Sequence, residues 1–229
     1  MHTAVRAGDA CAVQALLLTA TVVNEPDEDH LTPLQSAAMD GHVEVVEALL
    51  ADPRVHPAFT FLQGWTPLQV AVAYNHAPVV EVLLRDARCP ANPAIHGNSS
   101  ALGIAAANGY VDIVKMLLNV HGYHRYIEEH GETSMHYAAS GGHIDVLQEL
   151  FHAGADASVR ASNGDTPMSL AAKHQHVSTV SFLVDKNVQV DQRSWELMKA
   201  CRLFHQLAQM MQRWELNPIR LTWLHSLAL

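Results

Sequence analysis

Charged residues, and basic residues above all, are scarce in this sequence of 229 residues. Only 16% of the residues are charged, and 14 lysines and arginines face 23 aspartates and glutamates, which gives a formal net charge of −9. Binding to nucleic-acid phosphates requires clustered lysine and arginine. The composition therefore argues against nucleic acid as the main partner.

Long apolar runs and paired cysteines are also missing. No run of about 18 apolar residues occurs, so we expect no transmembrane helix and no membrane partner. The first residues lack the basic start and apolar stretch of a signal peptide. The three cysteines, Cys11, Cys89 and Cys201, are odd in number and far apart, which favours a reducing compartment. We predict a cytoplasmic protein, with a nuclear location as the alternative.

Motifs that carry catalysis are absent as well. The sequence has no phosphate-binding glycine loop, no Gly-x-Ser-x-Gly and no His-Glu-x-x-His, so we predict no catalytic residue, no cofactor and no enzyme. Its 16 histidines raise the question of a metal site. His121, His124 and His130 are close in sequence, as are His174 and His176. No cysteine or carboxylate completes a tetrahedral set at the usual spacing, and we predict no metal.

What the sequence does contain is a repeated phrase. Thr-Pro-Leu-Gln begins at Thr32 and at Thr66, and related phrases begin at Ser100, Thr133 and Thr166, at intervals of 34, 34, 33 and 33 residues. Self-similarity at such a period indicates a repeat array. In each copy the Thr or Ser suits a helix N-cap, and proline, where present, suits the first helical position.

A helix end and a second helix follow each phrase. Nine residues after the Thr or Ser stand Gly41, Asn75, Gly109, Gly142 and Gln175. Glycine, and less readily asparagine, accepts the left-handed conformation that ends a helix, whereas Gln175 fits that role poorly. Apolar residues then recur at i, i+3, i+4 spacing, which predicts the second helix of each repeat.

These phrases resemble the ankyrin repeat. The resemblance is carried by Gly64-Trp65-Thr66-Pro67-Leu68, by Gly41-His42-Val43-Glu44-Val45-Val46 and by Gly154-Ala155-Asp156. It implies an all-α fold with short β-hairpin turns, an ankyrin-repeat solenoid of about six repeats with a C-terminal helical cap or tail. We expect the array over residues 1–190 and the cap or tail over 191–229. The expected repeats are about 1–24, 27–58, 61–94, 95–127, 128–160 and 161–190.

Both ends depart from the pattern. Residues 1–24 lack the Thr-Pro turn, which favours an atypical capping repeat over a chain that starts late in its array. Apolar residues between Leu197 and Trp214 predict a helix of about 20 residues. We interpret 191–229 as a cap on the last repeat. The alternatives are a hook that binds a partner, or self-association through its final leucines.

A second resemblance lies within this tail. Leu197, Cys201-Arg202 and Leu216-Asn217-Pro218-Ile219 are faintly similar to the SOCS box, although His205 stands where that motif has an aliphatic residue. This similarity implies, as an alternative function, a substrate-adaptor subunit of a ubiquitin-ligase-type complex that is recruited through the C-terminal helices.

The ankyrin resemblance also assigns roles to individual residues. It implies that the histidines after the helix ends, and His136, are structural and hydrogen-bond neighbouring loops. It further implies a concave groove formed by the turn tips and the first helices. The groove residues carried over are Glu28, Asp29, Leu31, Met39, Asp40, Leu62, Gln63, Trp65, Tyr74, His96, Asn108, Glu129 and Glu132, with Ser162, Asp165, Lys173 and His174 at its far end.

Two aromatic residues stand out in this set. We expect Trp65 and Tyr74 to be exposed, because nearby residues of the same helix already fill the core. Exposed aromatics are frequent anchors of protein interfaces, and the acidic residues around them would favour a basic partner segment. The sequence therefore predicts a non-catalytic interaction scaffold or adaptor that binds a partner protein in its concave groove.

Overall fold

The repeated phrases fold as successive pairs of short helices. The computed structural model describes residues 1–60, 64–89, 100–120 and 131–200, and in these ranges it has thirteen helices and no strand. They are α1 (His2–Arg6), α2 (Ala10–Thr19), α3 (Pro33–Asp40), α4 (Val43–Leu50), α5 (Pro67–Ala73), α6 (Ala77–Arg85), α7 (Ala101–Asn108), α8 (Val111–Leu118), α9 (Ser134–Gly141), α10 (Ile144–His152), α11 (Pro167–Lys173), α12 (Val177–Asp185) and α13 (Gln192–Ala200).

The repeated Thr or Ser sets the start of the first helix of a pair. Thr32, Thr66 and Thr166 have extended backbones, and each hydroxyl accepts a hydrogen bond of 3.2 Å from the amide three residues further on. Ser100 accepts the same bond from Gly103 at 3.0 Å. A cap of this kind typically stabilises a helix by about 1 kcal/mol. The predicted N-caps at these four residues are therefore confirmed, whereas the Thr133 hydroxyl contacts Nδ1 of His136 at 2.9 Å.

The end of the first helix is left-handed whichever residue occupies it. Gly41, Gly109 and Gly142 have φ of 74–75°, and Asn75 has φ of 59°. Gln175, which we expected to fit poorly, has φ of 62°. The backbone amides of Gln175 and His176 donate to carbonyls of α11, so the hydrogen bonds of the turn hold this residue in place.

The helices stack in two layers with the core between them. The first helices, α1, α3, α5, α7, α9 and α11, pack each on the next, and α13 follows them. The second helices form the other layer. Small residues in the first layer allow close approach, and Ala37, Ala71, Ala105, Ala138 and Ala171 are fully buried. Each repeat thus contacts mainly its neighbours, as in a solenoid.

At four of the junctions between repeats, one histidine connects a repeat to the preceding one. Their Nε2 atoms donate to backbone carbonyls, with His42 bonding Arg6 at 3.3 Å, His76 bonding Met39 at 2.8 Å, His143 bonding Ala107 at 3.0 Å and His176 bonding Ser140 at 2.9 Å. The predicted structural role of these histidines is confirmed. Their acceptors lie in the last turn of the preceding first helix rather than in a loop.

Each of these histidine rings lies over a glycine of the preceding repeat. A Cβ atom on Gly8, Gly41, Gly109 or Gly142 would be 2.6–3.0 Å from the nearest ring atom. At one junction both partners differ, because Asn75 replaces the glycine and Tyr110 replaces the histidine. At the other junctions a Cβ atom on the glycine would meet the ring, so we infer that a side chain at position 75 leaves no room for a histidine ring placed in the same way. Tyr110 packs against the core.

Two links between repeats use an aspartate and an arginine. Asp52 and Asp86 each accept a hydrogen bond from the amide two residues on and pair with the side chain of that residue, Arg54 or Arg88. The guanidinium of Arg54 donates to the carbonyls of Leu17 at 2.7 Å and of Ala20 at 2.8 Å. Each arginine thus binds the carbonyl end of the preceding second helix.

α13 packs on α11, the first helix of the last pair. Trp195 and Met198 are buried, and Ser194 is fully buried. Arg193 donates to the carbonyl of Asn163 at 2.8 Å and pairs with Asp165 at 2.9 Å. Residues 201–229, which include most of the predicted long helix and of the SOCS-box similarity, lie outside the described ranges, and those predictions stay untested.

Candidate functional site

The last turns of the first helices present one residue each at an equivalent position. Asp40, Tyr74, Asn108 and His174 all stand eight residues after their N-cap, and all four are exposed. We call these four residues the exposed row. Tyr74 is 57% exposed. An aromatic side chain thus lies between two polar ones in a line that crosses the stacked helices.

The turn before α3 is built on a carboxylate. Oδ1 of Asp27 accepts hydrogen bonds from the amides of Asp29 and Leu31, at 3.0 and 2.9 Å, and the amide of Asp27 donates to the carbonyl of Leu31. Arg6 reaches this turn from α1 and contacts Asp27 at 2.8 Å and Asp29 at 2.6 Å. Partial burial acts to raise the pKa of Asp27, but the bonds from Leu31 and Arg6 outweigh it and lower the pKa.

These contacts decide which acidic groups are free to bind a partner. Arg6 already neutralises Asp29, a pairing that we did not predict because the two residues lie in different repeats. Glu28 and Asp40 are exposed, and within the described ranges neither forms an ion pair. Among the three acidic residues predicted for the groove in this repeat, Glu28 and Asp40 therefore carry the unpaired charge.

Trp65 differs from the prediction. It is partly buried against the core rather than exposed, and its carbonyl accepts a hydrogen bond of 2.7 Å from the Gln35 side chain. Its side chain packs against the hydrophobic core. The expectation that Trp65 is exposed was wrong, and Tyr74 is the aromatic residue that this surface presents to solvent.

The other predicted groove residues fall into three groups. Leu31, Met39 and Glu132 are half-buried, whereas Asn108, Ser162, Lys173 and His174 are exposed. Asp165, expected on the surface, is buried and paired with Arg193. Leu62, Gln63, His96 and Glu129 lie outside the described residues.

His136 is fully buried and joins two repeats. Its Nδ1 accepts from the amide of Thr133 at 3.0 Å, and its Nε2 donates to the carbonyl of Asp165 at 3.2 Å. Gln35 makes the same two bonds with its amide group, to Thr32 and to Trp65. Burial lowers the pKa of His136. The ring is thus a neutral bridge, in agreement with its predicted structural role.

The remaining candidates for chemistry are dispersed. The rings of His174 and His176 stack with their centroids 6.4 Å apart. In the part of the chain that the structure describes, no three histidine, cysteine or carboxylate side chains come together. His121, His124 and His130 lie outside it. Among the described helices, none has the length and apolar character needed to cross a membrane.

A stack of helix pairs joined by Gly–His contacts defines a repeat protein, and comparison with known families identifies which one. The family model for ankyrin repeats in three copies matches residues 1–95 and 88–161, and the model for the single ankyrin repeat matches residues 163–195. These matches cover most of the chain. The chain belongs to the ankyrin repeat family.

Solved structures agree with this assignment. The human ASB11 ankyrin repeat domain is 25% identical, with a TM-score of 0.74 over 83% of this chain and 85% of that chain. A chain in the complex of the predatory endopeptidase Bd0816 from Bdellovibrio bacteriovorus with immunity protein Bd3460 is 25% identical, with a TM-score of 0.70 over 81% and 96%. The ankyrin repeat domain of Bcl-3, 22% identical over 80% of both chains with a TM-score of 0.71, shares the fold.

Among curated proteins, none matches this chain. Ankyrin repeat domains are in general protein–protein interaction modules, and the family is typically a non-catalytic scaffold. Since one fold hosts many partners, the choice of partner depends on the exposed side chains of the individual protein.

Proposed function

We propose that this protein is a non-catalytic scaffold or adaptor that binds a partner protein in its concave groove, with Tyr74 as the anchor. The observation that carries the proposal is the exposure of Tyr74, 57%, in a row whose other members are polar. A tyrosine offers a large rigid contact surface and a hydroxyl that can form a hydrogen bond. Such residues dominate the binding energy of many interfaces.

The charges in and beside the exposed row support a partner segment with a basic part. Glu28 and Asp40 are exposed without an ion pair in the described ranges, whereas Lys173 and His174 lie in the last repeat. Complementary charges increase the association rate and fix the register of a bound segment. The basic part of the partner would therefore lie over α3, and Tyr74 would contact the residues next to it.

The proposal is tested by replacing Tyr74 alone. Trp65 is unsuitable, because its partial burial means that a truncation would also disturb packing between repeats. We would compare wild-type protein with Tyr74→Ala in affinity capture from cell extract, quantified by mass spectrometry. Anchors of this type contribute about 2 kcal/mol or more to binding. The affinity for a specific partner should therefore fall roughly 30-fold, and less of that partner should be captured.

Leu18→Ala provides the matched control, because Leu18 is a large apolar residue that is 88% exposed on α2, in the other helix layer. It should retain every partner that Tyr74→Ala loses. Equal capture by wild type and Tyr74→Ala, with an unchanged circular dichroism spectrum, would show that the partner does not use this row.

A further inference from the structure

Side chains that bond one repeat to the next are distributed unevenly along the array. Towards the N-terminus, each neighbouring pair of repeats is joined by two kinds of link. The first is a histidine, His42 or His76, that donates to the last turn of the preceding first helix. The second is an arginine, Arg54 or Arg88, that donates to carbonyls at the end of the preceding second helix. The first three repeats, α1–α6, are thus connected in both helix layers.

The junction between α5–α6 and α7–α8, which we call the middle junction, repeats neither link. Tyr110 stands at the histidine position. In the described ranges no side chain donates to the equivalent carbonyl, that of Ala73. Gly122 stands 34 residues after Arg88 and has no side chain that could donate. The helices still pack on each other across this junction, but neither Tyr110 nor Gly122 supplies the bond that its equivalents make.

Links between repeats resume beyond the middle junction. His143 and His176 donate to the preceding first helices at 3.0 and 2.9 Å. The buried ring of His136 bonds the turn before α11. In the second layer, the rings of Phe151 and Phe182 meet edge to face with their centroids 5.8 Å apart. We call α1–α6 the N-terminal unit and α7–α12 the C-terminal unit, because each is connected internally by such contacts.

The uneven distribution matters because the stability of a repeat array is the sum of its repeats and of the contacts between neighbours. Apolar packing is non-directional, whereas a hydrogen bond fixes the distance and the angle between its partners. The junction that has packing without these two bonds should therefore be the one at which neighbouring repeats separate most easily. We propose that the array opens and bends at the middle junction, so that the N-terminal and C-terminal units unfold as two cooperative units.

The position of the middle junction has a consequence for the exposed row. Tyr74 is the last residue of the row before this junction, and Asn108 is the first one after it. A partner segment that contacts both residues would hold the two units together, so binding and opening would be coupled. This consequence rests on the proposed function, whereas the opening itself is a property of the free chain.

Hydrogen exchange of the full chain at increasing urea concentrations, measured by mass spectrometry of peptides, tests the proposal without any partner. In wild-type protein, peptides from α1–α6 should lose protection together, and those from α7–α12 should do so together at a different urea concentration. Asn75→Gly/Tyr110→His introduces the Gly–His contact of the other junctions. It should bring the two transitions together and slow exchange at the ends of α5 and α7 about fivefold, which corresponds to one hydrogen bond of about 1 kcal/mol.

Gly109→Asn/His143→Tyr is the matched control, since it places the residue pair of the middle junction between α7–α8 and α9–α10. It should create a second boundary between α8 and α9. Three results would overturn the proposal: one transition shared by all peptides of wild-type protein, a wild-type boundary at a different junction, or a separation that Asn75→Gly/Tyr110→His leaves unchanged. A boundary at the middle junction together with unchanged partner capture by Tyr74→Ala would support this proposal and contradict only the proposed use of Tyr74.

Discussion

The imidazole of His76 lies where a side chain on Gly41 would have to be. A Cβ atom on Gly41 would be 2.7 Å from both Nδ1 and Cε1 of that ring. The Nε2 atom of His76 donates to the carbonyl of Met39 at 2.8 Å, so the ring is fixed by a hydrogen bond on its other side. The glycine is therefore required both for its left-handed backbone and for the space beside it.

We predict that Gly41→Ala costs about 3 kcal/mol of unfolding free energy. About 1 kcal/mol reflects the left-handed conformation, and the rest reflects the displaced His76 ring, since overpacking typically costs about 1–3 kcal/mol. Urea unfolding measures the difference. Gly154→Ala is the matched control, because Gly154 has φ of 82° with nothing within 4 Å of its Cβ position. Equal costs for the two variants would show that the ring contact is unimportant.

The junction of Asn75 and Tyr110 predicts a strong coupling between two substitutions. Tyr110→His alone should destabilise the protein, because at the other junctions the histidine ring lies where a Cβ on the preceding left-handed residue would be, and Asn75 carries a Cβ. Asn75→Gly added to it should recover stability by about 1 kcal/mol beyond the sum of the single effects. A double-mutant cycle from urea unfolding provides the number. Additive single effects would mean that the two positions do not share this space.

His136 predicts how stability depends on pH. Its pKa is lowered in the folded state, so the unfolded state binds the proton first. The contribution of neutral His136 to the free energy of unfolding is complete above the ordinary histidine pKa of about 6.5. It declines as the pH falls from there towards the pKa of His136 in the folded state, by at most about 1.4 kcal/mol per pH unit.

His136→Gln should remove this part of the pH dependence. Glutamine can accept from the Thr133 amide and donate to the Asp165 carbonyl, as Gln35 does with its partners. Stability at pH 7.5 should therefore change little, while the loss between about pH 6.5 and 5.5 becomes smaller than in wild type. Thermal unfolding at both pH values is the measurement, and parallel profiles of the two proteins would contradict the prediction.

The contacts of Arg54 predict that the end of α2 is protected from hydrogen exchange. Its guanidinium donates to the carbonyls of Leu17 and Ala20, so Arg54→Ala should increase hydrogen exchange at the end of α2 roughly tenfold through local opening. Arg85→Ala is the control, since Arg85 pairs with Glu81 on its own helix, and such exposed pairs contribute little. Mass spectrometry of exchanged peptides over residues 10–20 reports the effect. Unchanged exchange in Arg54→Ala would show that α2 is held by packing alone.

The sequence predicts the fold well because the signals for it are local. An N-cap hydroxyl and its target amide are three residues apart, so Thr32 or Thr66 can be interpreted without knowledge of any distant contact. The left-handed backbone of Gln175 could not be predicted from such a local signal. Its left-handed backbone follows from the turn that α11 and α12 require, including the bond from His176 to Ser140 in the preceding repeat.

The candidate site is less predictable, since exposure depends on neighbours that are far away in sequence. Tyr74 is exposed as expected, but Trp65 is partly buried against the core. Asp29 pairs with Arg6, which is 23 residues away, and Asp165 pairs with Arg193 of α13.

The order of residues in the Gly–His contacts has a consequence for synthesis on the ribosome. Every glycine precedes its histidine by 34 or 35 residues, so a nascent repeat acquires its hydrogen bond only after the following repeat has emerged. Folding of such a chain proceeds vectorially, with the newest repeat always incomplete. In the described part of the chain Arg193 comes last in this order, because its bonds to Asn163 and Asp165 connect α13 to the last repeat.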